Sequence, residues 1–202
     1  MNKNLKFILA SNSPRRKELL GALEIEFEVR TLDGIDETFP QGLTMTGIPE
    51  HISNQKAAAY ALAEDELLIA ADTIVYLDGE VLGKPANAKE ACTMLEKLSG
   101  RTHEVITGVT LRTLDRTRTF SCVTEVTFAE LTKEQIHYYV NNYAPFDKAG
   151  AYGIQEWIGC VGVTSINGSY YNVMGLPVQR LNQELNSFLN EEVDSFVDNF
   201  IY

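Results

Sequence analysis

The stretch LLIAADTIVYL (residues 67–77) is apolar along its whole length except at its centre. A run rich in Leu, Ile and Val, closed by the turn signal Asp78-Gly79, reads as a continuous strand of an α/β sheet. The turn DGE then leads into EVLGKP, a hairpin signal. Asp72 and Thr73 interrupt the apolar run. An unpaired carboxylate in such a strand costs several kcal/mol. Asp72 is therefore either a structural, hydrogen-bonded aspartate or a catalytic or metal-binding carboxylate at a cleft wall.

Upstream, IPEHISNQKAAAYALA (48–63) reads as a helix by its alanines, with Pro49 near its first turn and Lys56 interrupting a small-residue face. DGIDETFPQGLTMTG (33–47) mixes acids, Asp36 and Glu37 among them, with Gly and Pro, and reads as a mobile loop. IEFEVRTL (25–32) alternates as a half-buried strand does, and LKFILA (5–10) is a short buried strand feeding a helix that ends near Gly21. That helix opens with Ser13 as N-cap and Pro14 at its first position, followed by Arg15, Arg16 and Lys17. Cations at the positive end of a helix dipole are unfavourable. Either the arginines simply point into solvent, or an anion sits there. Free helix N–H groups, the Ser11 and Ser13 hydroxyls and the Arg15 and Arg16 forks would suit phosphate. The spacing is not that of a Walker P-loop.

Downstream, NAKEACTMLEKL (87–98) reads as an amphipathic helix closed by Ser99-Gly100. HEVITGVTLRTL (103–114) and TRTFSCVTEVTF (117–128) read as paired strands joined by an Asp115-Arg116 turn. TKEQIHYYVNNY (132–143) opens with a capping box, Thr132 to Gln135. APFDKAGAYGIQ (144–155) is glycine-rich and sets Asp147 and Lys148 where backbone can approach a ligand closely. IGCVGVTSI (158–166) is strand-like, NGSYYNVMGLP (167–177) is turn-rich packing, and a last helix starts near Pro177. Val193, Phe196, Val197, Phe200 and Ile201 keep helical spacing in an acidic tail. The pattern predicts an α/β fold with a mixed sheet and a cleft, as one domain over 1–190, two lobes around that cleft, with an amphipathic tail over 191–202.

With 202 residues, 45% hydrophobic and 22% charged, the chain has the composition of a soluble globular protein. Its 17 Lys and Arg against 28 Asp and Glu give a formal charge of −11, which argues against nucleic acid or an anionic membrane as partner. The cations of residues 1–20 are better read as a pocket for a small anion. Cys92, Cys122 and Cys160 make neither a disulfide framework nor a zinc site. With no signal peptide or membrane span in the sequence, the cytoplasm is expected. His51, His103 and His137 lack ligand spacing, and His103 reads as a loop or core histidine. Cations and carboxylates without a nucleophile–histidine pair suit Mg²⁺-assisted hydrolysis of a phosphoanhydride. Lys56 and Lys84, each alone, are also compatible with routine exposed lysines.

LASNSPRRKELL, ADTIV, GKP, LSGRTHEVITGV, DKAGAYGIQ and INGSYYNVMGLP together resemble, in order, the Maf family of nucleoside triphosphate pyrophosphatases. The resemblance implies an elongated α/β fold with a long central mixed sheet and a deep cleft, related to the inosine triphosphate pyrophosphatases. It implies a divalent metal, Mg²⁺ or alternatively Mn²⁺, and cleavage between the α and β phosphates. On that likeness Asp72 is the proton acceptor, Glu37, Lys56 and Lys84 surround triphosphate and metal, and Asp72 and Glu37 carry the metal. Ser11, Ser13, Arg15 and Arg16 would hold the triphosphate, and Asp147 and Lys148 would line the substrate site. Arg15, Thr73 and Gln155 match the branch that acts on dTTP and UTP, with Thr73 and Gln155 expected to hydrogen-bond a pyrimidine edge. The alternatives are 7-methyl-GTP or an inosine-like purine triphosphate as substrate, or a non-enzymatic regulator of septum formation. A homodimer is expected from the family and the apolar tail. Asn12, where Gly or Thr is common, and the acidic tail are the departures.

Overall fold

A computed structural model describes residues 5–197, and for 191–197 the backbone alone. The order is β1 (Lys6–Leu9), α1 (Pro14–Gly21), β2 (Phe27–Val29), α2 (Gly47–Ala58), β3 (Glu66–Leu77), β4 (Glu80–Leu82), α3 (Ala88–Leu98), β5 (Thr102–Arg112), β6 (Thr117–Phe128), α4 (Lys133–Tyr143), a 3₁₀ turn (Ala149–Ala151), α5 (Trp157–Gly162), β7 (Val163–Asn167), α6 (Tyr170–Met174) and α7 (Val178–Val197). The strands form one seven-stranded sheet, β2-β1-β3-β5-β6-β7, with β4 on the end of β3. β1 runs parallel to β2 and β3, and the remaining pairings are antiparallel. This is the mixed sheet that the alternation of strand and helix predicts.

The 67–77 run is the strand on which the molecule turns. Along one edge β3 pairs with β5 from Leu68 to Tyr76. Along the other it pairs with β1 only up to Ile69 and with β4 only from Val75. The edge between these pairings is open, and Asp72 and Thr73 lie in it. Successive side chains point to opposite faces. Ala70 and Ile74 pack under α2 with Ala57, Ile48 and Ile52, while Ile69, Ala71 and Val75 join the larger core on the other face. Asp72 therefore belongs to the α2 face and Thr73 to the opposite one.

Several expected boundaries shift, each for a packing reason. The helix expected over 48–63 ends at Ala58. Arg112 Nη1 donates to the carbonyls of Ala57 (2.7 Å) and Tyr60 (2.8 Å), closing the helix end and turning the chain into β3 against the propensity of its alanines. The 25–32 strand shortens to three residues. The strand-like 158–166 begins as α5 and becomes strand only at Val163, where β6 offers a partner. Gly159 sits where a Cβ would lie 1.8 Å from the Ile154 carbonyl oxygen, so this helical turn stacks directly on the preceding loop. Within 167–177 a short helix, α6, is capped by Ser169 and ended by Gly175 at φ 112°. The capping box at Thr132 and Gln135 forms as expected. α7 reaches Val197; the side chains of Val193, Phe196 and Val197, and all of Phe200 and Ile201, lie outside the described residues.

Candidate active site

An open pocket of about 480 Å³ occupies the gap beside β3. On the α2 face, Lys56 Nζ donates to Asp72 Oδ1 (2.7 Å) and lies 3.0 Å from Glu37 Oε1. The loop before α2 thus brings its carboxylate to the same ammonium as the strand carboxylate. α2 can lie low enough for this because the β5 residue in register with Asp72 is Gly108. A Cβ on Gly108 would fall 2.3 Å from the Pro49 carbonyl carbon. Lys84 also lines the pocket. Burial would raise the Glu37 carboxyl, but Lys56 and then Lys84 and Arg16 outweigh it and hold the group below its ordinary value. Asp72 Oδ2 accepts no hydrogen bond among the described residues.

On the other face, Arg16 turns inward. Its Nη1 donates to the Ala71 carbonyl (2.8 Å), taking the acceptor that a neighbouring strand would have used. Its Nε donates to the Gly175 carbonyl (2.8 Å) and its Nη2 to Thr73 Oγ1 (3.0 Å). Burial lowers the Arg16 guanidinium from its ordinary value, partly offset by the Asp72 charge. Three of its five N–H groups are committed to protein. Arg16 lines the pocket with these three donors tied into the protein and two left. Thr73 is tied in as well: its hydroxyl joins Thr107 Oγ1 at 2.9 Å and accepts from Arg16, and it also lines the pocket.

Arg15 points the other way, with Nη1 at 3.1 Å from Asp147 Oδ2. Asp147 Oδ1 accepts from Lys148 Nζ at 2.7 Å, and Lys148, nearly buried, also lies 3.2 Å from Glu156 Oε1. The Tyr139 hydroxyl donates to Glu156 Oε2 and accepts from the Gly153 N–H. Burial would raise the Asp147 carboxyl, yet hydrogen bonds from Lys148 and Arg15 hold it low. The α1 first turn holds no acid of its own, and the Arg15 side chain is paired instead with Asp147 from the far end of the chain. Ser11 accepts from the Ser13 N–H, Ser13 Oγ accepts from the Arg16 N–H at a long 3.5 Å, and Gln155 is exposed at the pocket rim. All the residues singled out in the sequence, Ser11, Ser13, Arg15, Arg16, Glu37, Lys56, Asp72, Thr73, Lys84, Asp147, Lys148 and Gln155, line this one pocket.

Sequence reasoning missed Glu156, Tyr139 and Thr107. An acid directly after Gln155 and a threonine inside the apolar VITGVTL were the available signals. His103 is a core histidine: burial lowers it to about 4, and it stands edge-on to Phe128 and Tyr152 with Nε2 2.7 Å from the Tyr152 hydroxyl. Among the described residues no three His, Cys, Asp or Glu side chains gather closely enough to hold a metal by themselves. Mg²⁺ bound together with a triphosphate needs only one or two carboxylates, with phosphate and water completing its shell. Asp72 and Glu37, brought to one point by Lys56, fit that donor set.

The family model described as Maf-like protein matches residues 6–188, which contain every residue of this pocket. The chain belongs to the Maf family. Among its Maf relatives, a protein of Phocaeicola vulgatus named dTTP/UTP pyrophosphatase is 63% identical over 182 residues, 89% of this chain and 94% of that one. Proteins of the same name from Parabacteroides distasonis and Porphyromonas gingivalis (strain W83) are 55% identical (92% of this chain, 97% of that one) and 50% identical (92% and 96%). A HAM1 protein from Coxiella burnetii covers 91% of this chain and 99% of its own, at 16% identity and a TM-score of 0.48, a likeness too low to carry any argument about the site. No helix among the described residues is long and apolar enough to cross a membrane.

Proposed function

We propose that this chain hydrolyses nucleoside triphosphates, dTTP and UTP first among them, between the α and β phosphates, releasing the nucleoside monophosphate and pyrophosphate. The carrying observation is the Lys56 ammonium clasped between Asp72 and Glu37, with Lys84 in the same pocket, at the open edge of β3. The name shared by relatives at 50–63% identity supports the substrate.

In this reading Lys56 and Lys84 neutralise charge that grows on the leaving pyrophosphate. Asp72 Oδ1 stays with Lys56, and Oδ2 is the atom that takes the proton of the attacking water. Glu37, and Asp72 through a shared water, would hold a divalent cation, Mg²⁺ or alternatively Mn²⁺, which when bound supplies further neutralisation of the triphosphate. Ser11, Ser13, Arg15 and the α1 N-terminus bind phosphate oxygens, and Arg16 sets the wall they stand on. Gln155 contacts the base from the rim. Residence in the cytoplasm, expected from the sequence pattern, and a homodimer, expected from the family and the apolar tail, belong to the same proposal.

A pyrophosphate-release screen across nucleotides, with Mg²⁺ and then Mn²⁺, tests it. Turnover of dTTP and UTP above the purine triphosphates, lost on chelation, is expected. Turnover of 7-methyl-GTP without dTTP or UTP would overturn the substrate assignment. Tight dTTP binding with no pyrophosphate released under either metal would overturn the enzymatic reading.

A further inference from the structure

Thr107 has no part in the chemistry above, yet it is fully buried and stands directly across from Thr73 on β5. We propose that Thr107 is a positioning residue for base selection: it fixes the direction of the Thr73 hydroxyl proton, so that Thr73 faces the pocket as an acceptor only. The proposal rests on the reading of this pocket as a nucleotide site.

The proton count gives the direction. A carbonyl oxygen can only accept, so Thr107 donates its single proton to the Asn172 carbonyl at 3.1 Å. The 2.9 Å contact between Thr107 Oγ1 and Thr73 Oγ1 must then be filled by the Thr73 proton. Thr73 meanwhile accepts from Arg16 Nη2, and one lone pair remains for the pocket. Arg16 Nε binds the Gly175 carbonyl, three residues after Asn172, which closes the contacts into a ring from α1 through β3 and β5 to α6. Asn172 is itself buried and anchored by Nδ2 to the Val105 carbonyl and to Thr124 Oγ1, each at 3.0 Å, so the far end of the ring is rigid.

A group of the base that meets Thr73 is therefore accepted when it donates and refused when it only accepts. The imide N–H of uracil and thymine is such a donor. The ring nitrogen of cytosine at the same place carries only a lone pair, and the pair of acceptors would be left unsatisfied. The selection sits on the opposite face of β3 from the Asp72–Lys56 pair, so its loss should act on binding rather than on the chemical step.

The test compares UTP and CTP as substrates of wild type, Thr107→Val and Thr107→Ser, with melting temperatures alongside. Thr107→Val keeps the shape but frees the Thr73 proton to turn into the pocket. It is expected to lower the UTP-to-CTP ratio of kcat/KM about five- to tenfold, the worth of about one hydrogen bond. The change should fall in KM, and Thr107→Ser should restore the ratio. Thr107→Ala, which also lacks the hydroxyl, reads the same ratio if the valine variant does not fold. An unchanged ratio in both hydroxyl-free variants, a ratio equally changed in Thr107→Ser, or a wild type with no preference for UTP would overturn the proposal. If wild type cleaves no triphosphate, the enzymatic reading falls by itself. The calorimetric affinities of the same proteins for UTP and CTP then decide the inference by the same ratio.

Discussion

Lys56 is the point where α2 meets the strand that crosses the centre of the sheet, and its ammonium holds two carboxylates from separate segments. Removing either carboxylate leaves the other still paired, so the two can be separated by mutation. Asp72→Asn keeps the shape and one hydrogen-bonding oxygen but cannot take a proton from water. If Asp72 is the proton acceptor, turnover of dTTP falls about 10²–10⁴-fold, the usual contribution of general base catalysis. Nucleotide affinity, measured by calorimetry, should stay within a few-fold of wild type. A variant with a tenth or more of wild-type kcat would reassign Asp72 from proton acceptor to structural anchor of Lys56. Asp72 could be picked out from sequence because a carboxylate inside LLIAADTIVYL has so few bland explanations. Arg16 could be placed at the pocket but its inward ties could not, because they depend on which edge of β3 is left unpaired, and that is decided by β1 stopping at Leu9.

Among the elements, the geometry of the Lys56–Asp72 pair depends on how closely α2 lies on β5. That closeness is set by a residue with no side chain, Gly108, whose added Cβ would meet backbone of Pro49 and Glu50 at 2.3–2.5 Å. Gly108→Ala must push α2 outward. Overpacking of this kind costs about 1–3 kcal/mol, and displacement of Lys56 by even about 1 Å can lower the rate about 10²-fold. Thermal unfolding and dTTP turnover should fall together. Gly21→Ala, where nothing lies within 4 Å and alanine suits the helix, serves as control and should lower neither. A Gly108→Ala enzyme that melts and turns over as wild type does would show that α2 is not seated by this contact. The same contrast explains what could be read in advance. Long strands and capped helices announce themselves by local pattern, as LLIAADTIVYL and the Thr132–Gln135 box do. Where local pattern and packing disagree, packing wins: α2 ends early because Arg112, from a strand 50 residues on, binds its last carbonyls, and Ile158 sits in a helical turn although its neighbours look like strand. The inward turn of Arg16 and the Arg15–Asp147–Lys148–Glu156 chain join segments from 55 to 159 residues apart, and no short-range signal carries them.

For the whole molecule, acid sensitivity follows from carboxylates that folding stabilises in their charged form. The clearest is Glu66 at the head of β3. It takes a two-pronged hydrogen bond from Arg30, at 2.7 and 3.0 Å, and another from the Ala63 N–H, and these hold its carboxyl down at about 2. Arg30 follows β2, and β1 lies between β2 and β3, so this pair ties three strands together and pins the chain that runs on to Thr31–Ile35 at the pocket. The Tyr60 hydroxyl donates to the Arg30 carbonyl and reinforces the same corner. Because the folded value lies below the unfolded one of 4.5, the contribution is fully present above about pH 4.5 and is lost as the pH falls from there through about 2. Asp147 and Glu37 are also held low and act in the same direction. Glu66→Gln should therefore be less stable than wild type at pH 7 by about 1 kcal/mol, the size expected for a partly exposed bidentate pair. The gap should narrow steadily as the pH is lowered below 4.5. Urea unfolding of both proteins at pH 7, 4 and 3 measures it. A gap that stays constant down to pH 3 would mean that Glu66 holds the corner by shape and neutral hydrogen bonds alone, and that the acid lability of the fold comes from the pocket carboxylates instead.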